Sequence, residues 1–291
     1  MGHQQPYAVA KGTLYVVATP IGNLRDITLR ALDVLRGADI VAAEDTRNTA
    51  HLLGYFSISG GKLFALHEHN EHAAAFKLIE ALRSGKTVAL VSDAGTPAIS
   101  DPGAVLVSAV RDAGIGVVPV PGANAAVCAL SAAGVTDPHF LFYGFLPHKG
   151  AARREALEAL KDLSHTLVFY ESPHRIAESV GDMREVLGGG RRIVLARELT
   201  KVFETIHACA LEEAPAWLAA DPNRQKGEFV LLVSGAEVLR NAEIGTAARH
   251  ALEVLLAELP LKQAVKLAAE ISGEKKNALY ALALQLKEQG A

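Results

Sequence analysis

The chain has 291 residues, half of them hydrophobic but only 5% aromatic, with a formal net charge of −3. That length carries two α/β domains with developed cores and a small appendage, built on Ala, Val, Leu and Ile packing. Near-neutral charge excludes a global basic field for nucleic acid, and Cys128 and Cys209 form no disulfide framework but read as buried thiols of a reducing compartment. The stretch Met1-Gly-His-Gln-Gln-Pro-Tyr7 lacks the basic start and apolar centre of a secretory signal. No apolar run approaches the roughly 18–20 residues that span a bilayer. The expectation is a soluble, cytoplasmic protein without membrane contact.

A β-branched run predicts a strand over 13–18 that stops at Thr19-Pro-Ile-Gly-Asn23. A helix over 28–36, a strand over 39–43, a short helix over 46–53 and a strand over 63–66 follow. Ala74, Leu78, Ala81 and Leu82 recur at helical spacing within 71–83. A strand over 87–91 then runs into Ser92-Asp-Ala-Gly-Thr-Pro97, followed by a helix over 102–113 and a strand over 117–120. This alternation predicts a parallel sheet covered on both faces, ending in a domain boundary at 121 beside Pro119, Pro121 and Gly122.

The second domain, expected over 122–240, begins with an Ala-rich helix over 123–133. It continues with strands over 140–143, 166–170 and 192–196 alternating with helices over 153–160 and 174–187. Strands over 203–208 and 228–234 flank a helix over 211–219. No helix fits between 196 and 203, so part of this sheet is antiparallel. From 241 onward the chain is helical, with helices over 246–259, 262–271 and 277–286. The Ser272-Gly273 turn makes the last two resemble a helix-turn-helix. It reads as a packing or docking module, or, through Lys262, Lys266, Lys275, Lys276 and Lys287, as a contact for a polyanion.

Several chemistries are set aside. Gly114-Ile-Gly116 meets Pro119 where a dinucleotide fingerprint needs its third glycine. Gly85-Lys86-Thr87 has Glu80 where a P-loop begins, and no Gly-x-Ser-x-Gly elbow occurs. The cluster His67-Glu-His-Asn-Glu-His72 lacks His-Glu-x-x-His spacing and reads as a polar loop with Asn70 capping the next helix; no metal site is assigned. What remains is a site made largely of main chain. Pro20 and Gly22, then Gly95, Thr96 and Pro97, make rigid turns where backbone approaches a ligand closely. Asp93 places a carboxylate at a strand's carboxyl end, or caps the following helix. The loops Pro121-Gly-Ala-Asn-Ala125 and Tyr170-Glu-Ser-Pro-His-Arg175 join these only in a cleft between the two domains.

With Ala43-Glu-Asp-Thr-Arg47, Asp101-Pro-Gly103, Gly144-Phe-Leu-Pro147 and Arg197-Glu-Leu-Thr-Lys201, these loops resemble the tetrapyrrole methylase superfamily over essentially the whole chain. Thr-Pro-Ile-Gly-Asn and Ala-Gly-Thr-Pro stand where the wider superfamily has more glycine and a Gly-Asp-Pro, which turns the resemblance toward its ribosomal RNA branch. The resemblance implies two α/β domains binding S-adenosylmethionine in their cleft, a homodimer, and 2′-O-methylation of a cytidine in the decoding region of 16S rRNA in the small ribosomal subunit. By position it implies cofactor contacts from Pro20, Asp93, Gly95, Thr96, Ile99, Asn124, Ala125, Glu171 and Glu228. Glu44, Asp45, Glu198 and Lys201 are candidates to take the hydroxyl proton, each equally readable as a structural ion pair. Arg25, Arg30, Arg47, Lys149, Arg153, Arg154, Arg175 and Arg197, with Lys201, are candidate phosphate contacts. Rival readings are a methyltransferase for a tetrapyrrole or another small molecule, and a non-catalytic RNA-binding or assembly protein on the same fold.

Overall fold

The computed structural model describes residues 7–67, 69–236 and 245–289, side chains of 287–289 excepted. The chain forms two compact units that divide at 235/236, the first containing both α/β domains. The expected boundary at 240/241 lies outside the described residues.

The first sheet is built from β1 (Thr13–Val17), β2 (Ile40–Ala43), β3 (Lys62–Ala65), β4 (Val88–Val91) and β5 (Gly116–Val120). All pairs are parallel, in the order β3-β2-β4-β1-β5. Strand side chains alternate between faces. Tyr15, Val17, Val41, Ala43, Ala89 and Val91 pack on one side with α1 (Leu29–Gly37), through Ala31, Leu32, Val34 and Leu35. Leu14, Ala42, Val88 and Leu90 pack on the other with α3 (Glu71–Arg83) and α4 (Ala104–Asp112). The short α2 (Thr46–Tyr55) starts from the Asp45 cap.

The second sheet contains β6 (Phe140–Phe145), β7 (Thr166–Glu171), β8 (Arg192–Arg197), β9 (Thr205–Ala210) and β10 (Phe229–Val233) in the order β6-β7-β10-β8-β9. Only β6 and β7 pair in parallel; the other neighbours are antiparallel. Leu167, Phe169, Leu195 and Leu231 meet α6 (Gly150–Glu158) and α7 (Ile176–Leu187), with α8 (Ala214–Ala219) at the edge of that layer. Val168, Val194, Ala196, Val230 and Leu232 meet α5 (Ala125–Ala132) through Ala126 and Ala129. The expected strand at 203–208 is displaced: the chain stays in a turn through Phe203, which is exposed like Val202, and β9 starts at Thr205. The turn wins because Glu198 and Thr200 adopt left-handed backbone, with the Lys201 amide returning to the Glu198 carbonyl.

The expected helix from 102 begins at Ala104 instead, because Gly103 has a φ of 131° that no helix accommodates. The opening of α4 is satisfied from outside. The buried Glu71 carboxylate accepts from the amides of Gly103, Val105 and Leu106 at 2.8, 2.9 and 3.3 Å. A carboxylate at a helix N-terminus meets both the orphan donors and the favourable end of the dipole. Asn70 does not cap α3 as expected; its side-chain oxygen accepts from the His67 amide and its nitrogen donates to the Ala65 carbonyl. Glu68 of that cluster lies outside the described residues.

The second unit holds α9 (Thr246–Glu258), α10 (Leu261–Ser272) and α11 (Lys276–Gln289) around Leu252, Val265, Ala268, Leu279 and Ala283. Gly273, at φ 73°, ends α10 with its amide on the Ala269 carbonyl. Among the described residues no helix is long and apolar enough to cross a membrane.

Replacing Glu71 by Ala strands two buried amides and one part-buried amide at the start of α4. The expected loss of stability is about 1–3 kcal/mol, read from urea denaturation; an unchanged midpoint would contradict the capping role.

Candidate functional site

The loops that leave β1 and β4 are joined by main chain. The Thr19 amide donates to the Gly95 carbonyl at 2.8 Å and the Gly95 amide returns to Thr19 at 3.1 Å, an isolated antiparallel bridge. The Thr19 hydroxyl donates to the Ser92 carbonyl at 3.1 Å, and the Thr96 hydroxyl reaches the Ala123 carbonyl at 3.0 Å. Asn124 caps α5 by accepting from the Val127 amide, and the Tyr170 hydroxyl, from β7, accepts from Ala126. Gly95 sits at φ 82°, a conformation that a side chain resists.

These contacts frame a cavity of about 290 Å³ at the carboxyl ends of β1, β4, β7 and β8 and the start of the antiparallel β10. Its walls are Ile21, Ala94–Thr96, Ile99–Asp101, Asn124, Ala125, Phe145, Tyr170–Pro173, Ala196, Leu199, Lys201 and Glu228–Val230. Five non-glycine residues among those described have positive φ, and four of them, Ala98, Ser100, Glu198 and Thr200, lie in the loops that border this cavity. Such backbone persists only where its surroundings over-determine it, and it concentrates at ligand sites.

Seven of the nine residues expected to touch a cofactor line the cavity: Gly95, Thr96, Ile99, Asn124, Ala125, Glu171 and Glu228. The Glu171 carboxylate is itself engaged inside the protein, accepting from the Ser172 amide and the Ser179 hydroxyl and pairing with Arg175 at 3.4 Å. Pro20 precedes Ile21 but is not part of the wall. Asp93 is also outside it, and it does not cap the next helix either. Its two oxygens accept from the Asp45 amide at 3.0 Å and from the Asn48 side chain at 2.8 Å.

Among the expected proton acceptors, only Lys201 lines the cavity. Its ammonium stands 2.8 Å from both Glu198 and Glu228. Burial alone would lower it, but the two carboxylates outweigh burial and hold it above the ordinary lysine value, so it is a cation and no base. Burial pushes Glu198 up, yet the bonds from Lys201 and the Glu228 amide leave it below the usual range. Asp45 caps α2 and is gripped by the Arg47 side chain, which holds it to about 2. All three are held in ion pairs, one of the two readings given for them. Glu44 is half-buried outside the cavity wall.

Asp101 is a titratable lining residue that the expected set lacks. It lines the cavity, and burial first, then the charges of Glu44 and Asp93, raise it to about 6 against the opposing Ser92 hydroxyl. Its signal in the chain is the Asp-Pro-Gly turn at 101–103, recognisable as a motif but not as a titrating group.

The expected phosphate contacts divide. Arg25, Arg47 and Lys149 are exposed. Arg153 is not available: it is 3% exposed, with bonds to Asp182 at 2.6 Å and Glu178 at 3.4 Å. Arg175 is also withdrawn, its guanidinium donating to the Leu146 and Pro147 carbonyls. Arg154 shares Asp182 but stays part-exposed, and Arg197 donates to the Lys226 carbonyl. Arg30 donates to the Pro119 carbonyl and lies over the Tyr7 ring.

A family model described as tetrapyrrole (corrin/porphyrin) methylases matches residues 13–215. The chain belongs to this family. A second, described as the RsmI C-terminal HTH domain, matches residues 242–287. Ribosomal RNA small subunit methyltransferase I of Pseudomonas aeruginosa is 55% identical over 278 residues, covering 95% of this chain and 98% of the relative. The Vibrio cholerae protein of the same name is 55% identical over 272 residues, covering 94% of each. In the fold alone, the crystal structure of the methyltransferase CobJ superimposes with a TM-score of 0.58 at 22% identity, over 77% of this chain and 95% of that one. Diphthine synthase does so with a TM-score of 0.57 at 17% identity, over 77% of this chain and 90% of that one.

Gly22 is where the first loop meets the turn after β8. A Cβ there would stand 2.5 Å from Lys201 Cγ, 2.8 Å from Thr200 Oγ1 and 3.0 Å from the Leu199 carbonyl, beside the bond from the Asn23 amide to Thr200. Gly22→Ala is expected to destabilise the protein by about 1–3 kcal/mol in chemical denaturation and to speed amide exchange in residues 19–25. A variant as stable and protected as its parent would refute this packing.

Proposed function

We propose that the protein uses S-adenosylmethionine to methylate the ribose 2′-hydroxyl of a cytidine in 16S rRNA of the small ribosomal subunit. The observation that carries the methyl-transfer reading is the cavity at the strand ends, and the donor's chemistry suits its walls. Ile21, Ala196, Leu199, Phe229 and Val230 offer apolar surface for a purine, and the bridged loops present main chain beside it. Glu228 favours an ammonium, while the capped start of α5 suits a carboxylate. The ribosomal substrate rests on whole-length similarity to proteins named ribosomal RNA small subunit methyltransferase I. Exposed Arg25, Arg47 and Lys149 are the phosphate contacts this reading retains.

When bound, S-adenosylmethionine supplies an activated methyl, so the chain contributes orientation, worth roughly 7–11 kcal/mol when reactants are well aligned. The remaining requirement is a group to accept the hydroxyl proton, and Asp101 is that group. A carboxylate raised to about 6 is still ionised at neutral pH and is a better proton acceptor there than an ordinary one. The Lys201 cation between Glu198 and Glu228 ties the turn after β8 to the start of β10.

Nucleoside mass spectrometry of rRNA from cells with and without the gene tests the substrate: a 2′-O-methylcytidine should vanish in the deletion. Its persistence, with activity of the purified protein on porphyrinogen acceptors, would overturn the ribosomal assignment. For the base, kcat/KM of the parent should climb with pH through about 6 and level off above it, as Asp101 of the free enzyme loses its proton. Asp101→Asn should lose that limb and on the order of 10²–10⁴-fold in kcat with cofactor affinity retained. A normal rate in the variant would eliminate Asp101 from the reaction.

A further inference from the structure

The parallel register of β6 and β7 pairs Phe140 with Thr166, so the residues just before each strand, His139 and His165, arrive side by side. The Thr166 amide donates to the His139 carbonyl at 3.2 Å, and the two imidazole centroids are 5.3 Å apart. Asp137 completes the group. One of its oxygens accepts from the His139 amide at 2.9 Å and lies 3.9 Å from the His139 Nδ1. One donor atom from each of the three falls within 4.8 Å of the others.

We propose that Asp137, His139 and His165 form a divalent transition-metal site, with Zn²⁺ the ion that suits it best. Two imidazole nitrogens and one carboxylate oxygen match zinc, whereas Mg²⁺ and Ca²⁺ favour all-oxygen sets. Bonds near 2.0–2.1 Å require the three donors to close in, and both imidazoles are exposed. The other coordination positions face solvent and take water. The site stands at the amino ends of β6 and β7, whereas Phe145 and Glu171, at their carboxyl ends, line the cavity. Its role is therefore structural. β6 is an edge strand held by β7 alone, and an ion spanning the residues before both strands pins that edge.

Tag-free, metal-stripped full-length protein should bind one Zn²⁺ saturably in calorimetry, with a rise in melting temperature. Co²⁺ should give the visible absorption of a low-coordinate nitrogen and oxygen site. His139→Gln/His165→Gln and, separately, Asp137→Asn should weaken binding roughly tenfold or more, the scale that even supporting groups around a metal command. His67→Gln/His69→Gln, at the other histidine cluster, should bind like the parent, and methyl transfer should be unchanged in all variants. Absence of saturable binding by the parent, or full affinity in the His139/His165 variant, would overturn the site without touching the methyl-transfer reading.

Discussion

The reciprocal pair of main-chain hydrogen bonds between Thr19 and Gly95 is the constraint on which the cavity depends. β1 and β4 are neighbours in the sheet, but nothing in strand pairing obliges the loops beyond them to stay together. The bridge extends the pairing past the strand ends with two bonds of opposite sense. The first loop then presents Gly22 to the turn after β8, and the second presents Thr96 to Ala123. These loops are thus held by main-chain bonds together with three threonine hydroxyls, those of Thr19, Thr96 and Thr200. A cavity so defined keeps its shape while the residues around its mouth vary, which is how one architecture serves many acceptors.

Electrostatics follows from the same arrangement. Because the second loop turns inward after Thr96, Asp101 is brought against the cavity and within reach of the Glu44 and Asp93 charges. On the side of the cavity beside β8 and β10, Lys201 bridges two carboxylates, those of Glu198 and Glu228. Burial and like charge thus raise Asp101 to about 6, while the ion pair lowers Glu198 and raises Lys201.

The strands were legible because buried parallel strands leave continuous Val, Ile, Leu and Ala runs, and the loops because Pro and Gly interrupt those runs. Less legible was everything decided by partners distant in sequence. Arg153 reads as a surface cation until Asp182, 29 residues on, is found beside it. Asn70 has the right type for a cap, yet its side chain bonds backward. Phe203 has strand character, but the left-handed Glu198 and Thr200 postpone the strand. Asp101 was visible only as part of a turn, because its altered acidity comes from burial, from Glu44 of another segment and from Asp93 eight residues back in the same loop.

The position of β10 has a consequence for how the protein is made. It lies between β7 and β8, yet it is the last strand of its sheet to be synthesised. β8 and β9 can form a hairpin as they emerge, but until Phe229–Val233 clears the exit tunnel that hairpin has no strand linking it to β7. The first sheet, complete at Val120, is free to assemble long before. A nascent chain therefore carries half a binding site through much of its translation, and becomes competent only when a single late segment slots into the gap.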